Sequence, residues 1–250
     1  MKTILGDMKT FLLKTELSEI CVVMSVVSHG QEQLVHDLLQ SLDKYLQTSQ
    51  VKLKIVITHN LQSNESYNSK YFNIVNIQRL NPKGFGENHN TVFENFKSDY
   101  FFVLNPDLIF NKIFNLDCSI KYLQENNLDI SSPLILTPNG KIADYKRADL
   151  TLSNFIFERI LRLRTSKPEW FAGMFLIFRS LAFKKLNGFD QRYFMYVEDC
   201  DICMRARRKG LSLGDLKNFS VIHFAQRDSR KKIKLSLIHT FSLIKYWIKF

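Results

Sequence analysis

The stretch Tyr100-Phe101-Phe102-Val103-Leu104-Asn105-Pro106-Asp107 decides the fold. Five apolar residues with no polar alternation read as a strand buried on both faces, the pattern of a parallel sheet covered by helices. Asn105-Pro106 stops the run, because proline lacks the N–H that a ladder needs. Asp107 is thereby set just past a strand's carboxyl end, where α/β proteins bind ligands. Working outward, Glu19 to Val27 is another apolar, β-branched run, broken at Ser28-His29-Gly30 ahead of a helical stretch from Glu32 to Leu46. Val51 to Thr58 and Asn73 to Ile77 give further strands, and a helix over about Glu87 to Phe96 leads into the strand at Tyr100. Strands alternating with helices imply a mainly parallel, Rossmann-like sheet flanked on both sides. The second half is less regular. It reads as a strand near Asp129 to Leu136, a Pro138-Asn139-Gly140 turn, a charged stretch to Lys167, a strand over Trp170 to Phe178 and a last strand from Ser220 to Phe224.

Between the last two strands lies Tyr193-Phe194-Met195-Tyr196-Val197-Glu198-Asp199-Cys200-Asp201-Ile202-Cys203-Met204-Arg205, three carboxylates behind an aromatic run. A helix beginning near Glu198 puts Glu198 and Asp201 on one face, lets Asp201 pair with Arg205, and turns Asp199 toward another face as a candidate base. The plainer reading is a first turn enriched in acids that complement the helix dipole. A second segment, Asn81-Pro82-Lys83-Gly84-Phe85-Gly86-Glu87-Asn88-His89-Asn90, joins a strand to a helix. Its glycines allow a close backbone approach to a ligand, and the helix N-terminus favours anions.

The order of these motifs, from the strand through Asn-Pro-Asp, Gly188-Phe189-Asp190, the aromatic run, Glu198-Asp199-Cys200-Asp201, Arg205 and Gly210, resembles the family 2 glycosyltransferases. The nearest branch is the rhamnosyltransferase-like one that builds bacterial surface polysaccharides. The resemblance spans roughly residues 20 to 224. It implies a GT-A fold over residues 1–226, with a nucleotide-sugar half at about 19–110, a mixed acceptor half at about 111–226, and residues 227–250 left as a basic amphipathic tail. It further implies inverting sugar transfer to a hydroxyl of a growing O-antigen or capsule chain, with dTDP-rhamnose or a UDP-hexose as donor and an acceptor carried on polyprenyl diphosphate.

Residue by residue, the family pattern implies Asp199 as the base, with Glu198, Asp201, Arg205, Trp170 and Gly173 around the acceptor or behind the base. It implies Ser28, Asn81, Gly84, Gly86, Asn90 and Asn105 on the donor. Asp107 would hold Mn²⁺ or Mg²⁺, with His223 completing the metal shell. The sequence departs from the pattern at the second strand's end. His59, in Ile57-Thr58-His59-Asn60, stands where an Asp that holds the nucleotide base is expected, which implies either base recognition through His59 or Asn60 or a different nucleotide altogether.

Composition narrows the classes. The chain has 250 residues, 45% of them hydrophobic, enough for one substantial core. The net charge of +11 favours anionic partners such as nucleotides and phospholipid head groups. The basic residues gather toward the C-terminus without interleaved aromatics, which speaks against a nucleic-acid partner. Cys21, Cys118, Cys200 and Cys203 make no disulfide framework, and Asp7, Lys9 and Lys14 interrupt any secretory leader, so a cytoplasmic setting is expected. From Arg227 to Phe250 a basic run precedes Leu235, Ile238, Phe241, Ile244, Trp247 and Ile248 at near-helical spacing. That is the pattern of an interfacial helix on an anionic membrane, with Tyr246 and Trp247 at the head groups. The other reading is a helix docked on the catalytic domain. Two functional alternatives also stand: a sugar-phosphate nucleotidyltransferase, whose Gly-rich basic loop after the first strand is missing here, and a non-catalytic GT-A module that binds glycan or scaffolds partner transferases.

Overall fold

The computed structural model describes residues 17–155, 169–224 and 233–250. Lys9, Lys14, the stretch from 156 to 167 and the basic run Arg227 to Lys232 lie outside the described residues. The first strand, β1 (Cys21–Ser28), forms from the β-branched run and is buried along nearly its whole length. Helix α1 (Glu32–Tyr45) follows, placing Val35, Leu38, Leu39 and Leu42 on its buried face. Strands β2 (Lys52–His59) and β3 (Asn73–Gln78) extend the sheet in parallel register. Helix α2 (Phe85–Asn95) leads to β4 (Tyr100–Leu104), whose five residues are all buried.

The sheet order is β3-β2-β1-β4-β9-β6-β10-β5. The chain builds outward from β1 to β3, then returns to lay β4 on the other side of β1. The resulting crevice at the carboxyl ends of β1 and β4 is the usual ligand station of such sheets. Beyond β4 the sheet is mixed: β9 (Phe175–Arg179) runs antiparallel to both β4 and β6 (Ile130–Leu136), and β10 (Leu213–His223) runs parallel to β6. Edge strand β5 (Leu108–Phe110) pairs antiparallel with the end of β10.

Three features differ from the sequence expectation. The strand expected over Trp170 to Phe178 is two strands. β8 (Trp170–Phe171) pairs with β7 (Lys146–Arg147) in a separate ribbon, and Ala172-Gly173-Met174 turns the chain into β9. The last strand begins at Leu213, with a bulge between Leu216 and Ser220 that hides its periodicity. Helix α3 (Leu116–Glu125) starts at Asn115, whose side chain accepts from the Cys118 N–H as an N-cap. The remaining helices are α4 (Leu152–Phe155), α5 (Ser180–Lys185), α6 (Glu198–Arg208) and α7 (Ile233–Lys249).

Candidate active site

The donor side is built from strand ends. Ser28 and His59 are register partners at the ends of β1 and β2, and both are buried. Ser28 Oγ accepts from the Gln31 N–H at 3.1 Å, fixing the turn into α1. The His59 ring stacks on Tyr67 with centroids 6.3 Å apart, and its Nε2 lies 3.0 Å from Asn76 Oδ1. That bond makes Nε2 the donor and leaves Nδ1 a buried acceptor without a partner. Asn60 grips the following loop, accepting from Lys83 N–H and donating to Lys83 O, both at 2.9 Å. Asn88 completes this knot with Arg79 at 2.9 Å. Asn81 is exposed on the loop's outer side.

Gly84, Gly86 and Asn90 face protein. A Cβ on Gly84 would meet Phe194 O at 2.7 Å, and one on Gly86 would meet Phe189 Cβ at 2.6 Å. Asn90 donates to Phe189 O at 2.8 Å and accepts from Phe189 N–H at 2.9 Å, tying α2 to the Gly188-Phe189 turn. These residues join the two halves of the chain. Beside them His89, which the sequence reading passed over, meets Ser25 Oγ at 2.7 Å, and its complete burial pushes its pKa down to about 3. Ser25 and His89 are sixty-four residues apart, on β1 and α2, and no local pattern marks the pair.

Asp107 lies past β4, as the Asn105-Pro106 break requires, with Asn105 N–H donating to Met174 O at 2.9 Å. Asp107 Oδ1 and His223 Nε2 stand 3.1 Å apart, each with its side chain 11% exposed. Neither atom has a hydrogen-bond partner of good geometry. Two buried, converging, unsatisfied ligand atoms fit a divalent cation. Among the described residues no third His, Cys, Asp or Glu joins them. The pair therefore suits an ion that takes its remaining ligands from diphosphate and water, as Mg²⁺ and Mn²⁺ do. A cavity of about 600 Å³ opens on the other side of Asp107, between α1 and β5, lined by Asp37, Ser41, Lys44 and Phe224. Neither Asp199 nor the expected donor residues Ser28, His59, Asn81, Gly84, Gly86 and Asn90 line it.

The acidic station is the N-terminus of α6. Tyr196 and Val197 precede it with φ of 70° and 75°, left-handed values rare for an aromatic and exceptional for a β-branched residue. Asp199 Oδ2 accepts from Gly173 N–H at 2.7 Å and Oδ1 accepts from Cys200 N–H at 2.8 Å. Burial pushes the Asp199 carboxyl up from the ordinary range, opposed by those N–H groups and by the nearby Arg147 charge. Glu198 is buried, its Oε2 has no partner, and burial followed by the Asp199 charge holds its carboxyl well above the ordinary range. The environments differ: two backbone N–H groups favour the charged form of Asp199, whereas Glu198 Oε2 meets no donor and burial raises that carboxyl more strongly. Cys200 and Cys203 are free, buried thiols, and burial pushes Cys203 up to about 12.

Asp201 is fully buried, with Arg205 Nε at 2.7 Å on one oxygen and Lys249 on the other. Arg205 also donates to Leu186 O and Gly188 O, bracing α6 against the same turn that Asn90 holds. Trp170 is 3% exposed, with Nε1 donating to Ala148 O and Arg147 over its ring at 5.5 Å, so it supports the site from within the core.

Helix α7 docks on this machinery. Tyr246 hydrogen-bonds Asp149, Trp247 Nε1 donates to Leu150 O at 2.7 Å, and Ser242 Oγ donates to Met195 O at 3.0 Å. Tyr246 and Trp247, expected at lipid head groups, are turned into protein. Lys249 and Asp149 are site-supporting residues that sequence reasoning missed, because their partners lie about fifty to a hundred residues away.

A sheet whose strand order reverses at β1 and β4, with an Asp at one strand end and a second acidic station at a late helix, defines a glycosyltransferase of the GT-A fold. Residues 33–186 match the sequence profile of Glycosyl transferase family 2, and the chain belongs to that family. It is 31% identical over 231 residues to rhamnosyltransferase WbbL of Escherichia coli K12, covering 84% of this chain and 85% of that one. A shorter match, 39% identical over 54 residues, is to the N-acetylglucosaminyl-diphospho-decaprenol L-rhamnosyltransferase of Mycobacterium tuberculosis, covering 22% of this chain and 18% of that one. Among solved structures, the mannosyltransferase PcManGT from Pyrobaculum calidifontis, in complex with GDP-Man and Mn²⁺, superposes with a TM-score of 0.64 at 14% identity over 92% of this chain and 64% of that one. TarS 1-349 of S. aureus in complex with UDP-GlcNAc gives 0.61 at 16% identity, over 83% of this chain and 59% of that one. These likenesses carry the fold. Among the described residues no helix is long and apolar enough to cross a membrane.

Proposed function

We propose that this family 2 glycosyltransferase is an inverting, metal-dependent enzyme. It transfers a sugar, rhamnose from dTDP-rhamnose or a hexose from UDP, to a hydroxyl of a growing bacterial surface polysaccharide, O-antigen or capsule, carried on polyprenyl diphosphate. The observation that carries the reading is the acidic pair at the start of α6, with Asp199 held by two backbone N–H groups that favour its charged form beside a buried Glu198 whose Oε2 has no partner. Asp199 takes the proton of the acceptor hydroxyl. The acceptor oxygen bonds to the anomeric carbon as the bond from that carbon to the diphosphate oxygen breaks on the opposite face. Burial raises the Glu198 carboxyl, and in its protonated form that residue adds no charge to repel Asp199. Asp107 and His223 would hold Mn²⁺ or Mg²⁺, which neutralises charge on the departing diphosphate. His59 Nδ1 offers the base an acceptor where relatives present a carboxylate.

The names of the E. coli and mycobacterial relatives support rhamnose and a lipid-diphosphate acceptor. Together with the net charge of +11 they support a cytoplasmic enzyme held peripherally at the inner membrane. A second reading, a non-catalytic glycan-binding or scaffolding GT-A module, draws on His59 in place of the expected Asp. The deciding experiment is thermal stability against nucleoside diphosphates and sugar nucleotides, dTDP-rhamnose and UDP-sugars included, with and without Mn²⁺. A metal-dependent shift for one nucleotide, lost in Asp107→Ala, is expected. No shift with any of them would sink the transferase reading in favour of the module.

A further inference from the structure

Helix α7 is apolar on two opposite faces. Its inner face, Ser242, Leu243 and Tyr246, is at most 5% exposed against the catalytic domain. Its outer face carries Leu237, Phe241, Ile244 and Ile248, exposed by 53, 61, 43 and 82%. Spaced four, three and four residues apart, these side chains form one continuous row along the helix. The docked inner face does not account for them, and a row of this kind marks an interaction surface. The row continues into the acidic station's own loop. Ser242 holds Met195 O, Lys245 holds Arg192 O at 2.7 Å, and between those two points Phe194 is 45% exposed.

The charge of the segment that carries the row is, in sequence, almost all of one sign. From Arg227 to Lys249 the sequence has seven Lys and Arg and the single acid Asp228, and α7 itself contains no Asp or Glu. Lys245 donates to a backbone carbonyl, a neutral partner that leaves its charge unmatched. A second copy of this chain would bring the same cations to the same place. An anionic bilayer offers hydrocarbon to the row and phosphate to its rim.

We infer that the outer face of α7, continued by Phe194, is the surface by which the protein lies on an anionic membrane, so that the helix bracing the acidic station also binds lipid. The inference rests on the proposed peripheral placement and gives it an address. It reverses the sequence expectation about which aromatic residues meet the head groups, since Phe241 replaces Tyr246 and Trp247.

The test is co-sedimentation of the full chain with phosphatidylcholine vesicles, with and without about one-third phosphatidylglycerol, for the wild type and for the double variant Phe241→Ser, Ile248→Ser. Both positions are exposed, so the fold should survive, and an unchanged Tm with an unchanged nucleotide-sugar shift verifies that. The expected result is salt-sensitive binding of the wild type to anionic vesicles, weakened at least about tenfold in the variant. Equal binding by both proteins, no binding by the wild type, or equal binding to neutral vesicles would overturn the inference. So would a wild-type dimer that the variant dissolves, because the face would then join two copies. Nucleotide-sugar shifts separate the two failures: a chain that shifts without sedimenting fails only here, and one that sediments without shifting fails only as a transferase.

Discussion

Glu198→Gln should make the protein more stable at neutral pH and flatten its stability against pH. In the folded chain Glu198 is 5% exposed beside Asp199, with one oxygen unpartnered, and burial raises its carboxyl well above the ordinary range. In the unfolded chain it titrates near its ordinary value of 4.5. The folded pKa is the higher one, so the folded state binds more protons than the unfolded state as pH rises past 4.5. Stability from this carboxyl is complete below that value and is lost with rising pH, at about 1.4 kcal/mol per unit, until the folded pKa is reached. Gln has the same shape and no proton to release, so the variant escapes the loss. For a chain of this size that slope corresponds to a Tm gain of about 3–6 °C for each pH unit over which the folded state retains the proton, shrinking toward zero near pH 4.5. Thermal or urea unfolding of both proteins across that range measures it. Parallel curves for wild type and variant would refute the assignment of the proton to Glu198. Asp199, also raised, contributes a slope of the same sign that remains in the variant.

Asp199→Asn should lower turnover by roughly 10²- to 10⁴-fold with donor binding retained. It should also cost about 1–3 kcal/mol in stability, because one amide oxygen replaces two and either the Gly173 or the Cys200 N–H loses its acceptor; wild-type turnover in a nucleotide-release assay would remove the residue from the base role. Gly86→Ala places a Cβ 2.6 Å from Phe189 Cβ, so an overpacking cost of about 1–3 kcal/mol should outweigh the propensity gain of about 1 kcal/mol. An unchanged or raised Tm would show that the glycine is not there for packing. Lys249→Met leaves fully buried Asp201 with Arg205 alone and should cost about 1–3 kcal/mol by urea midpoint; an unmoved midpoint would mean that α7 docks without this contact.

The parts of the fold legible in the sequence are those whose burial is uniform or whose chemistry is local. Tyr100 to Leu104 is buried at every position, so an unbroken apolar run identified the strand residue for residue. Helix α6 begins at Glu198 because its acids sit in its own first turn. The break at Ala172-Gly173-Met174 was hidden, since the group that takes the Gly173 N–H is Asp199, twenty-six residues on. The bond pair from Asn90 to Phe189 spans ninety-nine residues and looks, in sequence, like a ligand-binding Asn-x-Gly element. The tail shows the limit of periodicity most clearly. A helix apolar on both faces has a clear period and no indication of which face turns inward, and only the partners Asp149, Leu150 and Met195 decide it.

The left-handed pair Tyr196-Val197 explains why so many distant residues converge on this loop. Each such residue costs on the order of 1–3 kcal/mol, and neither is the glycine that would remove the cost. A conformation of that kind persists only where its surroundings over-determine it. Here Asn90 fixes the turn at Phe189, Phe85 N–H holds Phe194 O at 2.9 Å, Ser242 holds Met195 O, and the Tyr196 ring meets His239 edge-on at 5.2 Å. The first two anchors come from α2 and the last two from α7. With the loop so held, the next residues can only enter α6 in the orientation that sends Asp199 to Gly173 while Glu198 stays buried. The placement of the candidate base is therefore a property of both halves of the chain and of its C-terminal helix together. A perturbation that lifts α7 acts on Asp199 through Met195 and Tyr196, and it also takes Lys249 away from Asp201.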